Sequence, residues 1–71
     1  MIVVDVVGLR CPIPVQKLRI AIKDNPGQEI MLIGDDPESL HDIPALLDRM
    51  GLQPPEVVEI EEGWRFIISA G

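Results

Sequence analysis

The sequence predicts an α+β domain, a two-layer α/β sandwich in which two helices lie on one face of a mixed four-stranded sheet. Two observations lead to this prediction. Short apolar runs alternate with two longer segments whose apolar residues recur every three or four positions, and the chain ends in two apolar runs joined by a glycine-containing turn. The element order is therefore β-α-β-α-β-β. Both crossovers should be right-handed, which places the helices on the same face.

The first half of the chain contains two predicted strands and one helix. Residues 2–7 are almost uninterrupted β-branched sequence, which is typical of a strand buried on both faces, and Gly8 ends the run. Residues 12–23 have apolar positions at helical spacing, and the turn signal at residues 24–27 ends this helix of about three turns. Residues 30–33 form an apolar run short enough to favour a strand.

The second half contains a helix and a predicted β-hairpin. Apolar residues at helical spacing define the helix, and Gly51 is placed to form its C-terminal cap; these residues are Leu40, Ile43, Leu46, Leu47 and Met50. Asp36 before Pro37 is typical of a cap and a first-turn proline, but Pro44 removes a backbone hydrogen bond, so we expect an irregular first turn. Residues 57–60 and 64–68 should pair through Glu61-Glu62-Gly63.

Size and cysteine content limit how the fold is stabilised. A chain of 71 residues with 46% hydrophobic residues suffices for one domain, which we place at residues 1–71, and is too short for two. One cysteine and one histidine supply neither an internal disulfide nor the ligands of a zinc site. Aliphatic packing must therefore hold the fold together, and we expect neither a metal nor a cofactor.

Charge and composition argue against several functions. The net charge of −6 disfavours direct binding to nucleic acid, and Trp64 and Phe66 are too few aromatic residues for a base-stacking platform. The acidic residues concentrate after Gly34, so the half that contains Cys11 is mildly basic. No apolar run approaches the roughly 20 residues of a membrane span, and no secretory signal precedes the first strand. We expect a cytoplasmic monomer that contacts neither membranes nor nucleic acid.

Cys11 is the candidate functional residue. The proline that follows it disfavours an α conformation for the cysteine, so Cys11 is predicted to be the N-cap of the first helix. A thiolate there would face the positive end of the helix dipole, could accept a hydrogen bond from the Ile13 amide, and would lie near Arg10. Pro12 and Pro14 lack N–H groups, which limits the expected lowering of the thiol pKa. The prolines should chiefly hold the thiol rigid and exposed, the alternative being a buried cysteine that fills the core.

The string Asp5-x-x-Gly8-Leu9-Arg10-Cys11-Pro12-Ile13-Pro14 resembles the signature of the TusA/SirA sulfur-carrier family. Asp35-Asp36-Pro37 and Asp42-Ile43-Pro44 extend the resemblance over essentially the whole chain. It implies strand order 1-2-4-3 with the last strand antiparallel to the others. It also implies that Cys11 accepts sulfane sulfur as a persulfide from a cysteine desulfurase or rhodanese-like donor. An acceptor protein would then receive the sulfur, in tRNA thiolation, molybdenum-cofactor synthesis or sulfur oxidation.

The resemblance assigns roles to individual residues. Cys11 would bear the sulfur, and the positions that would support it are Asp5, Gly8, Arg10, Pro12 and Pro14. The protein would then be a carrier with sulfurtransferase-like persulfide chemistry rather than a turnover enzyme. The sequence departs from common members at Gln16 and Leu18, which bears on partner identity, and at residues 53–55.

Two other functions stay open from the sequence. The domain could be a non-catalytic regulatory or interaction module in which the motif only shapes a docking surface. Cys11 could alternatively act alone in a small thiol-dependent enzyme or redox sensor.

The other polar residues have simpler structural interpretations: a solvent-facing His41, cap-and-turn roles for Asp35 and Asp36, a solvated edge at Glu59, Glu61 and Glu62, and helix-surface charges that could steer an acidic partner at Lys17, Arg19 and Lys23.

Overall fold

The computed structural model describes residues 1–69, which form two helices and four strands. In chain order these are β1 (Ile2–Asp5), α1 (Ile13–Asp24), β2 (Ile30–Gly34), α2 (Ser39–Arg49), β3 (Glu56–Ile60) and β4 (Gly63–Ile68). The strands form one sheet in the order β1-β2-β4-β3. β1 is parallel to β2, and β4 is antiparallel to both β2 and β3. The predicted element order and sheet topology are confirmed.

A single face of the sheet carries the hydrophobic core. Alternate residues of β2 and β4 are buried, whereas Met31, Ile33 and Ile67, which point the other way, are only half-buried. Both helices contribute to the same buried cluster, which confirms that they pack on one face. The cluster consists of Val6, Leu18, Ile30, Leu32, Ile43, Leu46, Leu47, Phe66 and Ile68.

The prediction that β1 is buried on both faces is wrong. The strand ends at Asp5, and its burial alternates, with Ile2 and Val4 half-buried and Val3 56% exposed. The physical reason is its place at the edge of a sheet that α1 and α2 cover on one side only. Its β-branched residues reflect strand preference rather than two-sided burial.

α2 has the predicted C-terminal cap and an irregular approach at its start. Gly51 has a φ of +74°, and the Leu52 amide donates to the Leu47 carbonyl at 2.9 Å, as in a Schellman motif. Pro44 is accommodated inside the helix. The irregularity lies where α2 begins: the Ser39 amide donates to the Asp36 carbonyl at 3.0 Å, which is a tight i to i+3 hydrogen bond.

The hairpin between β3 and β4 brings the start of β4 against the end of β2. Two residues, Glu61 and Glu62, separate the strands, and Ile60 pairs with Gly63, which confirms the predicted hairpin. Gly63 has a φ of +144°, and a β-carbon there would overlap the Gly34 carbonyl oxygen and the Asp35 backbone. Only glycine permits this close approach, which fixes the position of the segment after β2.

Replacing Gly63 by alanine should therefore lower the free energy of unfolding by about 2–3 kcal/mol, because the added methyl group meets backbone atoms at a positive φ. Urea unfolding followed by circular dichroism measures the change. Gly27→Ala is the matched control, since Gly27 also has a positive φ but nothing lies within 4 Å of the added carbon. The control should lose only about 1 kcal/mol, and equal losses in the two variants would contradict the close-approach argument.

Candidate functional site

Cys11 lies in the turn between β1 and α1, at the edge of the sheet where β1 and β2 both end. The chain folds back directly after β1, because the Val7 amide donates to Asp5 Oδ1 at 3.0 Å and the Leu9 amide donates to the Val6 carbonyl at 3.1 Å. Gly8 follows with a φ of +84°, a conformation that favours glycine. Asp5 and Gly8 therefore shape the loop that leads to the cysteine.

Asp35 ties this loop to the end of β2. Its Oδ1 accepts a hydrogen bond from the Gly8 amide and another from Arg10 Nη1, each at 3.0 Å. The Gly8 amide, and then the Arg10 guanidinium, hold the pKa of Asp35 below its ordinary value. Arg10 is thus paired with Asp35 and acts on the loop rather than on the thiol.

Asp36 connects the cysteine to the start of α2. Its Oδ2 accepts the Cys11 amide at 2.8 Å, and its Oδ1 accepts the Glu38 amide at 3.1 Å. The residue is only 5% exposed. These two hydrogen bonds, with the Cys11 amide the larger contributor, lower the pKa of the Asp36 carboxyl. One ionised carboxylate therefore fixes both the Cys11 backbone and the segment that begins α2.

The prediction that Cys11 caps α1 is wrong. Pro12 occupies the N-cap position and α1 begins at Ile13, with no side-chain capping bond. The reason is a tight turn in which the Ile13 amide donates to the Arg10 carbonyl at 3.0 Å, so this amide is not available to the sulfur. Pro14 is buried in the first turn, whereas Pro12 is exposed. The prolines direct the start of the helix but leave the thiol outside it.

The side chains around the half-buried thiol are acidic. The Cys11 sulfur and one carboxylate oxygen each from Glu38 and Asp42 lie within 4.8 Å of one another. Burial, followed by hydrogen bonding to Asp42 and Asp36 and by their negative charge, raises the pKa of Cys11 to about 12. The expected stabilisation of a thiolate by Arg10 and a helix terminus is therefore wrong, and the resting group is a thiol.

This set of groups differs from a structural zinc site, which closes a shell of four ligands, usually sulfur and nitrogen. One thiol and two carboxylates fall short of that set. We therefore interpret Glu38 and Asp42 as the immediate surroundings of the thiol. That the protein needs no metal or cofactor stays a prediction.

The remaining charged residues lie where the simpler interpretations placed them. His41 is exposed on α2. The acidic residues of the hairpin and the basic residues of α1 face solvent; they are Glu59, Glu61, Glu62, Lys17, Arg19 and Lys23. Neither helix in residues 1–69 has the length and apolarity needed to cross a membrane.

Sequence reasoning found Cys11, but it missed Asp42 and the long-range roles of Asp35 and Asp36. The expectation that Asp36 caps α2 is wrong, because Glu38 holds the N-cap position and α2 begins at Ser39. The bond from the Glu38 amide to Asp36 fits the expected turn role. Its bond to the Cys11 amide spans 25 positions and leaves no local pattern. The available signal was the presence of both acidic motifs in the family resemblance.

Comparison with known proteins gives consistent results for the whole chain. The family model described as Sulfurtransferase TusA matches residues 2–70. The "Putative sulfur carrier protein" of Archaeoglobus fulgidus is 37% identical over 68 residues, which cover 93% of this chain and 88% of that protein. The crystal structure of the SirA-like protein from Desulfitobacterium hafniense superposes with a TM-score of 0.86 at 30% identity, covering 100% of this chain and 99% of the other.

Alkylation kinetics should report the raised pKa of Cys11. Because the thiolate is the reactive form, the rate with iodoacetamide should be low at neutral pH and rise about tenfold per pH unit to about pH 10. The same protein unfolded in urea provides the control, since its thiol should be half ionised at the ordinary cysteine pKa of about 8.5 and its rate should level off about one pH unit above that value. A plateau below about pH 9 in the folded protein would contradict the acidic surroundings described above.

Acid should destabilise the fold through Asp35 and Asp36. Because the pKa of each carboxyl is lowered in the folded state, its contribution is present above the unfolded value of about 3.9 and lost as pH falls through the folded value. The free energy of unfolding in urea should therefore be level down to about pH 5 and fall progressively below it.

The Asp36→Asn variant isolates the contribution of Asp36 to this loss of stability in acid. The variant should be less stable at pH 7, because an asparagine amide group would face one of two backbone N–H donors, and its loss of stability in acid should be shallower. Asp48→Asn, at an exposed position on α2, controls for the loss of one negative charge. An Asp36→Asn variant with the acid dependence of the wild type would refute the assignment.

Proposed function

This chain belongs to the Sulfurtransferase TusA family, and from that membership we propose that it carries sulfane sulfur as a persulfide on Cys11. The donor is a cysteine desulfurase or a rhodanese-like protein, and the acceptor is a second protein. The single observation that supports the role of Cys11 is its placement: a partly accessible thiol on a turn whose backbone is fixed by Asp36. The thiol is therefore presented at one position of a rigid loop.

The surface around the thiol suits contact with another protein. Val7, in the loop before Cys11, and Ile13, the first residue of α1, are 42% and 43% exposed, and Pro12, directly after Cys11, is exposed as well. Apolar side chains around a reactive group are the usual centre of a protein interface. A partner that covers them would bring its own sulfur atom to the thiol and exclude water from it.

The chemistry needs little from the carrier itself. The Cys11 sulfur attacks the outer sulfur of the donor persulfide, a new sulfur–sulfur bond forms at Cys11, and the donor's own sulfur–sulfur bond breaks to return its thiol. In the second step an acceptor thiol attacks the outer sulfur now held on Cys11, which restores the free cysteine. Each step exchanges one sulfur–sulfur bond for another, so no external oxidant or reductant is consumed.

The proposal extends to the setting of this transfer. We place the protein in the cytoplasm as a monomer, where reducing conditions keep a single thiol free. The acceptor pathway is tRNA thiolation, molybdenum-cofactor synthesis or sulfur oxidation. Asp5, Gly8, Arg10, Pro12 and Pro14 support the transfer by fixing the loop and the start of α1.

Persulfide loading tests the proposal directly. Incubation of the purified protein with a cysteine desulfurase and cysteine should add the mass of one sulfur atom, as measured by intact-protein mass spectrometry, and reductant should remove it. Cys11→Ser should gain nothing, and wild type incubated with the desulfurase but without cysteine controls for adventitious sulfur. If the wild type gains no sulfur from either a desulfurase or a rhodanese, the carrier proposal fails and the regulatory-module alternative replaces it.

A further inference from the structure

Sulfur uptake by Cys11 requires a destination for the thiol proton. The attacking species in sulfur–sulfur exchange is the thiolate. With the pKa of Cys11 raised to about 12, only about one molecule in 10⁵ carries a thiolate at pH 7. Uptake through this small fraction would be slow, so a group beside the sulfur that accepts the proton during attack would accelerate it.

Four acidic side chains surround the loop, and two of them are already engaged. Asp35 accepts the Gly8 amide and Arg10, and Asp36 accepts the Cys11 and Glu38 amides. Arg10 is itself a donor, held by Asp35, and cannot take a proton. The carboxylates of Glu38 and Asp42 remain, and both approach the sulfur.

Asp42 is better placed than Glu38 for proton transfer. It is half-buried in the first turn of α2, so its side chain is carried on a rigid element, whereas Glu38 is exposed and precedes the helix. Of the two carboxylates whose hydrogen bonding raises the pKa of Cys11, Asp42 contributes more than Asp36. Among residues 1–69, no other hydrogen bond engages the Asp42 carboxylate.

We propose that the carboxylate of Asp42 is the proton acceptor for Cys11 during sulfur uptake. As the Cys11 sulfur bonds to the outer sulfur of the donor, the thiol proton passes to Asp42, and Asp42 returns it to the departing donor thiolate. The transferred sulfur keeps its own proton, so the donor persulfide and the Cys11 thiol become the donor thiol and the Cys11 persulfide. This inference rests on the carrier role proposed above and assigns the proton step within it.

A simpler role for Asp42 predicts the opposite kinetic result. If the carboxylate only repelled the thiolate, its removal would make the thiolate more abundant and would speed every reaction of Cys11. If Asp42 accepts the proton, its removal should still speed alkylation, because no proton has to be returned to a leaving thiolate in that reaction. The same removal should slow sulfur uptake, in which the donor thiolate receives the proton from Asp42. Measuring both reactions on one variant therefore separates the two roles.

Asp42→Asn is the test, with glutathione persulfide as the sulfur donor and iodoacetamide as the alkylating probe. Relative to wild type, the variant should alkylate faster at pH 8 and gain sulfur about tenfold or more slowly at pH 7. Its uptake rate should rise with pH from about pH 6 to 8, whereas that of the wild type should be nearly level. Asp42→Glu, which retains a carboxylate, should recover part of the rate.

Glu38→Gln is the matched control, because it removes the other carboxylate that lies within 4.8 Å of the sulfur and leaves Asp42 in place. It should not slow sulfur uptake, and its pH profile should follow the wild type. Asp42→Asn that loads sulfur as fast as wild type, or faster, overturns the proton-acceptor role while leaving the carrier role intact. Wild type that gains no sulfur from glutathione persulfide, a desulfurase or a rhodanese overturns the carrier role and this inference together.

Discussion

The carboxylate of Asp36 is the interaction on which the rest of the site depends. The loop before α1 lies outside regular secondary structure, so its amides need acceptors from elsewhere in the chain. Asp36 supplies one to Cys11 and, through its second oxygen, another to Glu38 at the approach to α2. Its position is itself set by β2, whose end lies against Gly63 of the hairpin. The sheet, the cysteine loop and the second helix thus meet at a single side chain.

The same arrangement determines the chemical state of the thiol. Asp36 accepts the Cys11 amide and α2 begins shortly after it, at Ser39, which also brings Asp42 to the sulfur. Arg10, the residue before Cys11, is paired with Asp35. Accurate placement of the thiol is therefore obtained with carboxylates that disfavour its ionisation, and the raised pKa of Cys11 follows from how the loop is held.

The fold could be predicted from the sequence because its signals are local. Helical spacing defined α1 and α2, Gly51 marked the end of α2, and the glycine after Glu61-Glu62 marked the hairpin. The environment of Cys11 could not be predicted in this way. Its neighbours in the chain, Arg10 and two prolines, indicated a stabilised thiolate, but residues 25 or more positions away supply the acidic groups that reverse the expectation. Likewise, β1 has the composition of a central strand, and its edge position follows from the strand order that the family resemblance implied rather than from its own residues.

A protonated thiol is compatible with a sulfur carrier when specificity is considered. An ionised cysteine on an exposed loop would exchange with many disulfides and oxidise readily, because both reactions increase with the thiolate fraction. A thiol held by carboxylates has a very small thiolate fraction, which slows both of these reactions. A docked partner changes this situation, since contact with Val7 and Ile13 would align its sulfur with Cys11 for the duration of the complex. Under the carrier role proposed for Cys11, reactivity would then depend on recognition, and the surroundings that keep the thiol protonated would restrict transfer to proteins that fit the loop.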